Sequence, residues 1–222
     1  SWTSKWRASL FATLSNHLKD PEFIARHRTK ASAFVRDRKL PFHRLCLILI
    51  WNLRSALHLD LERFFDQAGD PEAPHPTAFS KARAFLKASA FVDLNDALVA
   101  TARDHALGDH RWHGLRLLAM DGSTLRLIKG SPEIAAHFGQ AECRQGTSPP
   151  LARMSYLYEV RSNLIVAAEI SPYEQGELTH AQELLGERVW EKDCVIYDRG
   201  YHSPRIIAWS LAQESHVVIR VP

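Results

Sequence analysis

Through the first hundred residues apolar side chains return every three or four positions, the period of helices lying on a core. Leu10, Phe11, Leu14 and Leu18 form one stripe of a helix predicted over Trp6 to Leu18, which Asp20-Pro21 brings to an end. A short helix follows from Glu22 to His27. Leu40-Pro41 opens a strongly apolar helix from Phe42 to about Leu57, since proline suits a first helical turn and the run Leu45 to Leu53 is too long for an ordinary strand. Asp60 to Gln67 predicts another short helix. The prolines at 71, 74 and 76 make Asp70 to Pro76 a linker or an ordered loop. Thr77 is the expected cap of a helix through Phe79, Ala82, Phe85 and Leu86, and Phe91 to His105 is its partner.

After Gly108 the period changes. Leu115 to Met120 is a short apolar run ending at Asp121-Gly122. Met154 to Val160 alternates, Arg161-Ser162-Asn163 turns, and Leu164 to Ile170 pairs back as a hairpin. Glu177 to Arg188 is helical, Cys194 to Tyr197 is a buried strand ending at Asp198, Pro204 to Glu214 is helical, and Val217 to Val221 is a further strand. The expected class is therefore α+β. A helical region, residues 1–108, precedes a mixed sheet, residues 109–222, in the element order of a ribonuclease-H-like domain.

Composition narrows the class. A chain of 222 residues with 45% hydrophobic and 24% charged positions can bury a core, which sets global disorder aside. No apolar run reaches the roughly 18 to 20 residues of a membrane-spanning helix, and no secretory signal opens the chain, so the expectation is a soluble protein of a bacterial cytoplasm, without membrane. Cys46, Cys143 and Cys194 are too far apart for a disulfide scaffold or a zinc site. The net charge of +3 is unevenly spread: residues 1–60 hold 11 Lys and Arg against 4 Asp and Glu, while residues 61–222 hold 17 against 21. Arg26, Arg28, Lys30, Arg36, Arg38, Lys39 and Arg44 fall close together with only Asp37 opposing them, a tract suited to phosphates. Ser80, Lys81 and Arg83 sit on the first of two short helices joined by a tight connection. That arrangement is compatible with a helix-turn-helix reading DNA and equally with an ordinary helical hairpin.

Asp121 and Asp198 are the candidate chemistry. Each is expected at the carboxyl end of a central strand, where strand ends face a common crevice. Two carboxylates a few Å apart repel one another unless a divalent cation lies between them. Magnesium suits such hard oxygen ligands, and the reaction to which it lends itself is in-line attack on a phosphodiester. Taken alone, a strand-ending Asp-Gly is most often a simple turn.

The surrounding strings say more. Ala119-Met120-Asp121-Gly122-Ser123-Thr124-Leu125-Arg126-Leu127 resembles the first-aspartate motif of the insertion-sequence-four family of DDE transposases, and Tyr197-Asp198-Arg199-Gly200-Tyr201-His202-Ser203 resembles the second. Similarity also runs through Arg26-His27-Arg28-Thr29-Lys30, Leu40-Pro41-Phe42-His43-Arg44, Ala78-Phe79-Ser80-Lys81-Ala82-Arg83 and Val217-Val218-Ile219-Arg220. The resemblance implies a DNA transposase, nucleoid-associated, that binds its inverted-repeat ends as a homodimer on double-stranded DNA and joins them to a target. It implies Asp121 and Asp198 as catalytic metal ligands for Mg2+, with Mn2+ as a substitute.

The family's third acid is a Glu in a Tyr, Arg, Glu, Lys signature beyond the second Asp, and no Tyr-x-x-Arg-x-x-x-Glu string occurs here; Tyr158-Glu159-Val160-Arg161 has Ile165 where Glu is required. The expectation is thus a catalytic domain truncated before that acid, with Glu169, Glu177, Glu183 and Glu214 poor substitutes. The alternative is a transposase-derived DNA-binding protein without catalytic activity. Arg199 is expected either to hold a DNA phosphate or to pair within the fold, and Tyr201 to pack beneath the site. His202 is expected at the surface, and Lys129, Arg144 and Arg153 either on phosphate or in solvent.

Overall fold

The computed structural model describes every residue except 1, 37, 52, 71, 107–110, 140, 141, 144, 145, 176, 187, 188, 190, 191 and 222. The fold is α+β, and the chain divides into two compact units, Ser1–Thr101 and Ala102–Pro222.

In the first unit the helices are α1 (Trp2–Lys19), α2 (Pro21–His27), α3 (Phe42–Ile50), α4 (Leu57–Gln67), α5 (Pro76–Arg83) and α6 (Ser89–Ala106), the last running across the boundary. Proline sets two of the starts. Asp20 caps α2, its carboxylate accepting from the Glu22 and Phe23 amides at 3.1 Å, with Pro21 in the first turn. For α5 the expected cap was Thr77, but the cap is His75, whose Nδ1 accepts from the Thr77 amide, because Pro76 takes the first helical position and moves the start back. The apolar helix begun at Phe42 ends at Ile50, short of the expected Leu57, and the chain restarts as α4 at Leu57, earlier than Asp60.

α3 serves two cores at once. Phe42 and Cys46, one turn apart, join Leu18, Phe23, Ala90 and Leu94, whereas Leu45 and Ile48 join Leu61, Phe65 and Phe79. Fully burying side chains of this size contributes about 1.5–3 kcal/mol each. His27, expected beside the basic tract, is buried, with Nδ1 at 3.0 Å from Ser89 Oγ and Nε2 at 3.0 Å from Asp93 Oδ2, fastening α2 to α6.

The second unit is built on a mixed five-stranded sheet. Its members, with the intervening elements, are β1 (Arg116–Arg126), α7 (Pro132–Phe138), the two-residue pair β2 (Glu142–Cys143) and β3 (Gly146–Thr147), β4 (Leu151–Glu159), β5 (Leu164–Pro172), α8 (Glu177–Leu185), β6 (Asp193–Tyr197), α9 (Pro204–Ala212) and β7 (His216–Ile219). The sheet order is β5-β4-β1-β6-β7. β1, β4 and β5 form an antiparallel meander, while β6 and β7 lie parallel to β1 and to each other. Parallel neighbours need long connections, which α8 and α9 provide. α7 and the β2–β3 pair were not expected from the sequence, the first because only seven residues carry its pattern.

Leu118, Met120, Leu157, Val166, Val195, Tyr197, Leu185 and Ile206 form the interior. Arg116 and Asp193 open β1 and β6 as register partners, and their side chains form a buried bidentate ion pair at 2.8 and 2.6 Å. Among the described residues no helix is long and apolar enough to cross a membrane. Cys46 and Cys194 are free and buried. Asp37, Gly108, Arg144 and Arg188, each named above, lie outside the described residues.

Candidate active site

The parallel ladder between β1 and β6 runs from Arg116 opposite Asp193 to Met120 opposite Tyr197. One residue further on are Asp121 and Asp198. These two residues leave the same end of the ladder, Asp121 by continuing in β1 and Asp198 by entering the turn that follows β6. Both are exposed, in contrast to the buried Met120 and Tyr197 that precede them.

Asp121-Gly122 does not end its strand, because β1 continues to Arg126 against β4, with Asp121 opposite Tyr156 and Arg126 opposite Leu151. What ends at Asp121 is the partnership with β6, since the chain leaves that strand at Asp198 for a 3-10 turn, Arg199–Tyr201. Gly122 is extended strand, and its missing side chain has a steric reason: a Cβ there would lie 3.0 Å from the Tyr201 hydroxyl. Tyr201 is buried, its ring 5.7 Å from that of Tyr197, and so packs under the site.

Asp121 is held from two sides. Its Oδ1 accepts from the Gly122 amide at 2.8 Å and its Oδ2 accepts from the Tyr156 hydroxyl at 2.8 Å. The Tyr156 phenol is pushed above its ordinary value, chiefly because it donates to the Asp121 carboxylate, and also by desolvation and by the nearby negative charge. Asp198 makes no cap to the turn it precedes. It borders a cavity of about 520 Å³ with Arg199, Gly200, His202 and Arg220.

The donor set fits a hard divalent cation in part. Two exposed carboxylates stand one residue past the last rung of the ladder, and each oxygen of Asp121 retains a lone pair after its single hydrogen bond. Among the described residues no group of three or more His, Cys, Asp or Glu side chains is gathered for a metal. Glu169 pairs with Ser155, which pairs with Gly122, and so lies on the opposite face from Asp121. Glu183 on α8 accepts from Gln175 at 2.8 Å, and Glu214 occupies a left-handed turn at φ 53°. The Glu177 side chain lies outside the described residues.

The basic residues divide into engaged and available groups. Lys39 pairs with Glu72, and Arg44, half-buried, pairs with Asp70 at 3.0 Å and lies over the Phe65 ring. Arg28 donates to the Ala33 carbonyl at 3.2 Å. Arg26 lies over Phe23 and Lys30 over Phe85, both with exposed side chains. Arg36, Arg38, Lys81, Arg83 and Arg199 are exposed. In the second unit Lys129 is exposed, and Arg153 stacks 5.1 Å over Tyr173.

The sequence reading missed Tyr156, the Arg116–Asp193 pair and Arg220. The pair left a legible trace: Arg116 and Asp193 are 77 residues apart, the same separation as Asp121 and Asp198. Tyr156 left none, because only the β1–β4 register brings it to Asp121.

Residues 112–222, half of the chain, match the family model described as "Transposase DDE domain". The protein named "Putative transposase InsZ" from Escherichia coli (strain K12) is 26% identical over 98 residues, which cover 43% of this chain and 32% of InsZ. The chain thus spans about a third of the length of that relative. Among solved structures, the cryo-EM structure of a piggyBac transposase synaptic complex with hairpin DNA aligns with a TM-score of 0.48 and 11% identity, over 95% of this chain and 50% of that one.

Proposed function

The chain belongs to the transposase DDE domain family, and from that premise we propose that it is a DNA transposase of an insertion sequence whose site is Asp121 and Asp198. The observation that carries the reading is the register of β1 and β6, whose last pair, Met120 opposite Tyr197, stands one residue before each aspartate. Residues 109–222 are proposed as a ribonuclease-H-like catalytic domain. The strand order supports this: an antiparallel meander followed by two parallel strands added beyond its first member.

Asp121 and Asp198 would hold a divalent ion, Mg2+ or in its place Mn2+, which when bound supplies charge neutralisation for attack on a phosphodiester. The chain's own contribution is positioning. Tyr156 and the Gly122 amide orient the Asp121 carboxylate, and Tyr201 against Tyr197 supports the backbone beneath it. No glutamate of this chain is assigned as third acid.

Residues 1–108 are proposed to bind DNA, the ends of the mobile element above all, as a homodimer. Arg26, Arg28, Lys30, Arg36, Arg38, Lys81 and Arg83 are the proposed phosphate contacts, with Arg199 contributing from the catalytic domain. Lys39 and Arg44 are engaged with acidic partners and are proposed to shape this surface more than to touch DNA.

A second reading, a DNA-binding protein derived from a transposase and without catalysis, is favoured by one observation. No third acidic, histidine or cysteine side chain gathers at the aspartate pair among the described residues. Titration with Mn2+, followed by electron paramagnetic resonance, separates the two. Under the transposase reading the chain binds Mn2+, and Asp121→Asn and Asp198→Asn each weaken binding by at least tenfold while duplex DNA affinity in the absence of metal is retained. Duplex binding without any Mn2+ site dependent on these residues would leave the second reading standing.

A further inference from the structure

β6 and β7 are adjacent parallel strands, and each delivers the residues after its last paired position to the same rim: Asp198 and Arg199 after Tyr197, Arg220 after Ile219. His202, at the end of the 3-10 turn, completes a cavity of about 520 Å³, and Gly200 contributes no side chain to its wall. All four charged or titratable side chains are exposed. Among the described residues neither the Arg199 nor the Arg220 guanidinium has a hydrogen-bonded or ion-paired partner, and neither reaches Asp198 as an ion pair. Arg116, Arg153 and Arg205 of the same unit, by contrast, are engaged by Asp193, the Tyr173 carbonyl and Gln182.

Guanidinium groups converging on a cavity without internal partners are arranged for an anion supplied from outside. Counting the Arg199 and Arg220 guanidiniums against the Asp198 carboxylate, these three side chains carry a single formal positive charge. That balance suits a phosphodiester, which carries one negative charge, better than a free phosphate dianion, which would meet the Asp198 carboxylate with its second charge. We infer that Arg199, His202 and Arg220 form a seat for one phosphodiester of a DNA strand, on the β7 side of Asp198. The inference rests on the DNA reading above and extends it from Arg199 to a pocket in which Arg220 and His202 take part.

Such a contact is visible in the salt dependence of DNA affinity, because each phosphate neutralised releases counterions and removing one contact lowers the slope of log K against log salt by about 1. The test uses the whole chain, a fluorescein-labelled 20-base-pair duplex of arbitrary sequence, and anisotropy across a KCl series without divalent ions. Arg199→Gln and Arg220→Gln should each flatten the slope by about 1 and the double variant by about 2. Arg205→Gln, which removes an equal charge outside the cavity, should leave it unchanged. The double Lys variant, keeping charge, should retain the slope; losing it there too would mean a disturbed structure and would overturn the pocket.

A double Gln variant with the full slope also overturns the pocket and leaves the DNA reading intact. An unsubstituted chain with no salt-dependent affinity overturns both. Displacement of the duplex by inorganic phosphate at constant ionic strength, seen only when both arginines are present, would reassign the pocket to free phosphate and refute the phosphodiester.

Discussion

Arg116 and Asp193 face each other on the first rung of the β1–β6 ladder, joined by two buried contacts of 2.8 and 2.6 Å. Five residues after each stand Asp121, still within β1, and Asp198, just past the end of β6. A slip of one residue between parallel strands would turn one aspartate to the far face, so an ion pair at one end of the ladder specifies the alignment of the carboxylates at the other. The pair is also expensive to break, because removing one member leaves the other's charge buried without its ion-pair partner.

Arg116→Ala or Asp193→Ala should therefore destabilise the second unit by about 3–5 kcal/mol, whereas Arg116→Met combined with Asp193→Leu should recover most of that loss. Amide hydrogen exchange across β1 and β6 checks both. If the single variants exchange no faster than the parent, the pair does not hold the register.

Tyr156 should titrate late. Its phenol lies above the ordinary value because it donates to Asp121, so removing that charge with Asp121→Asn should bring one tyrosine transition down towards pH 10 in the absorbance of tyrosinate, and Tyr156→Phe identifies which. The sign for stability follows from the raised value: the hydrogen bond is present at neutral pH and is lost as pH climbs past 10 through the folded-state value. A titration unaltered by Asp121→Asn would count against the contact.

Gly122→Ala should destabilise the second unit by about 1–3 kcal/mol, since the added methyl meets the buried Tyr201 hydroxyl at 3.0 Å. Combining it with Tyr201→Phe should restore part of the loss, a coupling that urea unfolding of the four chains would measure. Strict additivity would mean that the two positions do not compete for the same space.

Cys46 should resist thiol reagents. Burial pushes its thiol up to about 12, leaving almost no thiolate at pH 8, so peptide mapping after alkylation should find it unlabelled until denaturant is added. Labelling in the folded chain would show that the core around α3 opens readily.

The sheet could be read from the sequence because its signals are local. The alternation from Met154 to Val160, the turn at Arg161-Ser162-Asn163 and the apolar run before Asp198 each occupy a few consecutive residues, and β4, β5 and β6 fall on them. Asp121 was found as a residue but misplaced as a strand end, because Asp-Gly normally breaks a strand and only the distant β4 carries β1 past it. Tyr156 and Arg220 were beyond reach for the same reason, since pairing between strands sets where they fall and no window along the chain contains it, while the Arg116–Asp193 clasp left only its separation of 77 residues as a trace. The basic tract was legible as charge, but its division into engaged and available side chains depends on where Asp70 and Glu72 fold back.

β1 outlasts its neighbour. From Gly122 to Arg126 it keeps β4 on one side, while on the other the ladder with β6 has already ended. Over that length β1 forms the margin of the sheet on its β6 side, with β4 and then β5 behind it, and every second residue turns its N–H and C=O away from β4 as an edge strand does.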